Sequence, residues 1–121
     1  MIKNYRPINK RAIITLTLSP NCDYVYTGDN DGYLKQWSIK EQILLKDYGK
    51  VHNSSINSMT ITMTFYGEFL FTGDIDGCLK QWSPTRQLLV KNWGGIYEAS
   101  IDCMIVTYDG RFLFIGDSNG C

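Results

Sequence analysis

The chain has one histidine, no C-x-x-C pair and no excess of charge of either sign. Each shortage excludes something. A metal site or nucleophile–base pair that needs an imidazole has only His52, and nothing around His52 resembles a nucleophile elbow. No catalytic residue and no cofactor is therefore expected. Cys22, Cys78, Cys103 and Cys121 are too sparse for a disulfide scaffold. They read as reduced thiols, which suits a reducing, cytoplasmic compartment. Lys and Arg number 12, Asp and Glu also 12, so the formal net charge is zero. A dedicated nucleic-acid binder is normally basic, so a nucleic-acid partner is disfavoured. No run approaches the roughly 18 apolar residues of a membrane helix. The first seven residues hold neither an apolar core nor a small-residue cleavage site, so neither a membrane role nor a secretory signal is expected.

What the chain does have is repetition. Its 121 residues, 44% hydrophobic and 20% charged, have the balance of one globular domain. Gly28-Asp29-Asn30-Asp31-Gly32-Tyr33-Leu34-Lys35-Gln36-Trp37-Ser38 returns as Gly73-Asp74-Ile75-Asp76-Gly77-Cys78-Leu79-Lys80-Gln81-Trp82-Ser83, identical at nine of eleven positions. A third copy opens with Gly116-Asp117-Ser118-Asn119-Gly120-Cys121. Upstream, Tyr24-Val25-Tyr26-Thr27, Phe69-Leu70-Phe71-Thr72 and Phe112-Leu113-Phe114-Ile115 align. The offsets are 45 and then 43, which places two extra residues in the second copy, expected within 57–63. Repetition at such a period marks a repeat architecture.

Each copy reads as four short strands. Ile14-Thr15-Leu16-Thr17-Leu18 and Met59-Thr60-Ile61-Thr62-Met63 alternate apolar with polar residues, the period of a half-buried strand. Turn residues follow, then an aromatic strand, the Gly-Asp-x-Asp/Asn-Gly turn, a Leu-Lys-Gln-Trp strand and a strand over Ile43-Leu44-Leu45 or Leu88-Leu89-Val90. Thr, Tyr, Gly and Asn are dense enough to disfavour helix. The Asp-rich turns match a calcium loop poorly, because both lack its first Asp and its bidentate Glu. They read as tight hairpin turns in which Gly supplies positive φ.

Four strands per repeat, a period in the low forties, an Asp turn before a Trp-ended strand and a His in the loop before the next unit resemble WD40 repeats. The closing dipeptide is Trp37-Ser38 or Trp82-Ser83 instead of Trp-Asp, and Val51-His52 stands for Gly-His. The resemblance implies an all-β partial propeller of four-stranded antiparallel blades with an incomplete ring. Its units span about 9–51, 52–96 and 97–121, about two and a half repeats. Counting a strand near 2–8 gives eleven strands, and the chain is expected to be part of a longer polypeptide. The resemblance further implies a hydrogen-bonded His–Thr–Asp–Trp group, matched by His52, Thr72, Asp76 and Trp82. Thr27, Asp31 and Trp37 match in the first unit, with Asn9 in the His position. The third unit offers only Tyr97, Ile115 and Asn119.

The function implied is a non-enzymatic scaffold that binds protein partners and no small-molecule substrate. The binding rim would comprise Asn30, Ile75 and Ser118 beside the turn Asp residues, with Asn53, Ser54, Ser55, Glu98 and Ala99 in the preceding loops. Asp29, Asp31, Asp74, Asp76 and Asp117 occupy equivalent turns. On a shared rim they would favour basic peptide segments; the simpler reading makes them turn formers. Two alternatives are a regulatory or targeting portion of a longer enzyme, and a ribonucleoprotein assembly factor.

Overall fold

The computed structural model describes residues 12–64, 67–95, 99–107 and 111–118. The described residues form ten strands. The first sheet contains β1 (Ile13–Leu18), β2 (Tyr24–Asp29), β3 (Tyr33–Ser38) and β4 (Ile43–Lys50), paired in that order. The second contains β5 (Ile56–Thr64), β6 (Gly67–Asp74), β7 (Cys78–Ser83) and β8 (Leu88–Gly95). A third sheet pairs β9 (Ile101–Val106) with β10 (Leu113–Asp117). All pairings are antiparallel. The strand expected near 2–8 lies outside the described residues, as do Asn9, Tyr97, Glu98 and Asn119.

The sheets are blades of a propeller arc. Successive blades touch through their first strands, β1 on β5 and β5 on β9. The reason is local. Gly28 and Gly73 leave a notch that the next blade's first isoleucine fills: a Cβ on either would lie 2.7 Å from Cγ2 of Ile56 or Ile101. Ile56 and Ile101 are fully buried. Burying such a side chain contributes about 1.5–3 kcal/mol, so the Gly–Ile pair is a principal fastening between blades. The seam between the first two blades is completed by Tyr26, Leu34, Met59, Leu70 and Trp82. Tyr48 meets Trp82 edge-on with ring centroids 5.7 Å apart.

Register moves the expected insertion to the far end of its window. Ile13↔Asp29 and Ile56↔Asp74 are equivalent pairs, each followed by a bulge. Leu18↔Val25 and Ile61↔Leu70 are also equivalent. The two additional residues therefore lie beyond Ile61, where Thr62↔Phe69, Met63↔Glu68 and Thr64↔Gly67 prolong the hairpin. An insertion of two keeps the in–out alternation of the strand, so the hairpin lengthens at its tip without turning β5 over.

The recurring phenylalanines divide. Phe71 faces Trp93 at 6.4 Å within its own blade, whereas Phe112 and Phe114 are 57% and 60% exposed. Cys22, Cys78 and Cys103 are unbridged. No helix among the described residues is long and apolar enough to cross a membrane.

Candidate functional site

Each Gly-Asp-x-Asp-Gly segment folds as a tight turn. The Gly32 amide donates to the Asp29 carbonyl and the Gly77 amide to the Asp74 carbonyl, both at 3.2 Å. The two glycines have φ of +89° and +83°, a conformation that L side chains rarely adopt. Asp at the first turn position accepts hydrogen bonds from backbone two and four residues on. Asp29 Oδ1 takes the amides of Asp31 and Tyr33, and Asp74 Oδ1 those of Asp76 and Cys78, all at 2.9 Å.

The turn of the first blade then positions the histidine of the second. The amides of Val51 and His52 donate to the Gly32 carbonyl. A Cβ on Gly32 would collide with the His52 carbonyl, so this turn admits only glycine. His52, 2% exposed, is thereby carried against the second blade. Its Nδ1 lies 2.7 Å from Asp74 Oδ2, and its Nε2 lies 2.7 Å from Thr72 Oγ1. Trp82 Nε1 donates to the same Thr72 oxygen at 3.0 Å. The Lys80 ammonium donates to the Val51 carbonyl.

Burial lowers the pKa of His52, against the opposing pull of the Asp74 hydrogen bond and charge; Lys80 adds to the lowering. The imidazole is therefore neutral near pH 7. Nδ1–H donates to Asp74, and Nε2 accepts the Thr72 hydroxyl proton. This order of carboxylate, imidazole and hydroxyl is that of a nucleophilic triad. Here it leads nowhere: Thr72 is 0% exposed and its oxygen already accepts the Trp82 indole. The group ties the loop, the turn and two strands together.

His52, Thr72 and Trp82 thus meet as expected, but Asp76 does not join them. Asp76 is exposed and contributes its backbone amide; the buried carboxylate is Asp74, 1% exposed. The first blade repeats the correction. Trp37 Nε1 donates to Thr27 Oγ1 at 2.9 Å, while Asp29 takes the place expected of Asp31. A signal for this existed in the sequence. Side chains two apart on a strand share a face, so Asp74 follows Thr72 onto the face of Trp82, whereas Asp76 lies beyond the strand. Asp29 Oδ2, the counterpart of the oxygen that meets His52, is buried with no hydrogen-bond partner among the described residues.

The closing serines have a role of their own. Ser38 Oγ accepts the Glu41 amide at 3.0 Å, and Ser83 Oγ accepts the Arg86 amide at 3.4 Å. Serine thus starts the turn into β4 and into β8. Cys78 is a poor nucleophile, since burial and the charges of Asp74 and Asp76 raise its thiol pKa.

The rim residues sort by exposure. Asn30, Ile75 and Ser118 are exposed at the turn tips, Ile75 by 47%. Each tip is stitched to the loop before its blade: the Asn30 amide donates to the Ala12 carbonyl, that of Ile75 to Ser55 and that of Ser118 to Ser100, at 3.0–3.1 Å. Asn53 is exposed, Ser54 and Ala99 are half-buried, and Ser55 is buried. The acidic rim shrinks, because Asp29 and Asp74 are buried and Asp117 is half-buried, leaving Asp31 and Asp76 exposed.

Four-stranded antiparallel blades, fastened through first strands and closed by a His–Asp–Thr–Trp group, define a β-propeller domain. The family model described as "WD domain, G-beta repeat" matches residues 7–38 and 45–83. The chain belongs to the WD40 repeat family. No curated protein sequence matches it. Among solved structures, it is similar to the RRP9 WD40 repeats (TM-score 0.76, 14% identity) and to U3-55K (0.77, 14%). A third is the Cps50 (Swd1) β-propeller domain of Myceliophteria thermophila (0.72, 11%). The alignments cover 89%, 89% and 87% of this chain but only 33%, 34% and 32% of those chains. The chain spans about a third of their length.

Proposed function

We propose that this chain is a non-enzymatic protein-binding scaffold whose contact surface is the end of the blades bearing the Asp turns. WD40 domains generally serve protein–protein interaction, which fits a site whose buried group has no access for a substrate. The observation that carries the reading is the common anchoring of three turn tips. Asn30, Ile75 and Ser118 are held by equivalent backbone bonds yet carry three different exposed side chains. A rigid frame with variable tips is how a scaffold gains specificity without altering its fold. Ile75, an apolar side chain at a polar turn, is the natural anchor, with Asn30, Ser118 and Asn53 around it. Exposed Asp31 and Asp76 would favour a partner segment of positive charge.

The test is affinity capture of a partner by the chain and by Ile75→Arg. The variant is expected to lose the partner while keeping its thermal unfolding midpoint. Unchanged capture by Ile75→Arg and by Asn30→Arg would remove this surface from the account.

A further inference from the structure

At the opposite end of the blades, a cleft of about 390 Å³ opens in the seam between the first and second blades. Tyr24, Tyr26 and Gln36 line it from the first blade, and Glu68, Thr85 and Gln87 from the second. Glu68 is only 9% exposed, and its Oε2 is buried with no hydrogen-bond partner among the described residues. Burial, and then the charge of Asp23, push the Glu68 pKa up; no cation among the described residues acts in the other direction. A buried carboxylate without a cation is costly. Beside it Gln36 Nε2 donates to the Tyr26 hydroxyl at 3.1 Å, and neither group reaches Glu68 Oε2.

The repeat itself argues that this is no by-product of the fold. Alignment of Tyr24 with Phe69 and Phe112 makes Asp23, Glu68 and Arg111 equivalent. Glu68 faces Tyr24 and Tyr26 across the first seam. At the next seam the corresponding residues are Arg111, Phe69 and Phe71. The hydroxyls are gone and the charge is reversed, in a chain that elsewhere duplicates its turns almost letter for letter.

We propose that this seam is a pocket for one cationic side chain of a protein partner, a guanidinium by preference, with Glu68 as its counter-ion. The tyrosine rings supply faces for the cation and its stem. A guanidinium presents a planar fork of donors that a carboxylate accepts in pairs. The pocket is separate from the turn tips and does not depend on their role.

The experiment titrates the full chain with N-acetyl-argininamide, N-acetyl-norleucinamide and spermidine, followed by backbone amide NMR. Argininamide should give saturable shifts centred on Tyr24, Glu68 and Gln87, and norleucinamide none. Glu68→Gln should bind about tenfold more weakly or worse. Thr85→Trp, which changes an exposed side chain at the mouth, should block binding with the rest of the spectrum intact, and it decides the matter if Glu68→Gln does not fold. Equal shifts from norleucinamide, preference for spermidine, absence of saturable binding, or full binding by a folded Glu68→Gln would each overturn the proposal. Ile75→Arg should leave this binding untouched, so failure here and failure of the turn-tip surface are separable.

Discussion

The first and second blades are near copies in sequence, and their differences lie where the sequence stops repeating. Both have the same pairing register, Val25 opposite Trp37 and Leu70 opposite Trp82. Both carry two bulges between the third and fourth strands. Their Trp–Thr bonds are 2.9 and 3.0 Å, and their four carboxylate–amide bonds are all 2.9 Å. Yet Asp74 Oδ2 has a partner in His52, and Asp29 Oδ2 has none among the described residues. The turn and the Trp–Thr bond are made within the repeated eleven residues and the strand just before them, so duplication copies them. The histidine comes from a loop 22 residues away, and duplication of the turn alone does not bring it along.

The sharpest way to break this comparison is to remove the two carboxylates. Asp74→Ala should cost about 1–3 kcal/mol more than Asp29→Ala, because it strands the buried imidazole N–H as well as two turn amides. Asp29→Ala should cost about 1–3 kcal/mol, for the amides alone. Denaturant unfolding of each variant measures both, and equal losses would mean that His52 contributes nothing to the second blade. Next in size are the notches. Gly28→Ala and Gly73→Ala each drive a Cβ into a fully buried isoleucine and should cost about 1–3 kcal/mol. Gly95→Ala, whose Cβ would meet nothing nearer than Cys78 Sγ at 3.9 Å, should stay within about 0.5 kcal/mol.

A third distinction is the response to acid. His52 is the chain's only histidine, and its folded pKa is lowered from 6.5. The unfolded chain therefore binds the proton first, and stability should fall as pH drops below about 6.5. His52→Asn should abolish that slope. Glu68 has the opposite sign: its folded pKa is raised from 4.5, so its contribution is lost as pH rises through that raised value. Repeating the pH series in Glu68→Gln separates the two. Smallest of all, Asp76→Asn should change stability by less than about 0.5 kcal/mol. A loss comparable to that of Asp74→Ala would return Asp76 to the buried group.

Much of this architecture could be read from the chain alone. The dyad alternation of Ile14 to Leu18, the aromatic strands and the glycine turns predict strands that the structure contains, and the repeat of Leu-Lys-Gln-Trp predicts two equivalent blades. The choice of aspartate was harder. In Gly73-Asp74-Ile75-Asp76-Gly77 both carboxylates suit a turn, and only the strand boundary at Asp74 separates them. The burial of Glu68 in its cleft was not legible. Glu68 is more than forty residues from Tyr24; the repeat makes it the counterpart of Asp23 but does not show that Glu68 and Tyr24 meet across a seam.

What the sequence by itself determined is therefore everything with a short range: strand period, turn type, the glycine that admits positive φ, and the Thr–Trp pairing that follows from register. What only the tertiary structure decided is which polar groups lose contact with water. Burial depends on how one blade lies against the next. The same Asp in two nearly identical turns is satisfied in one and unsatisfied in the other because a single imidazole reaches across, or does not.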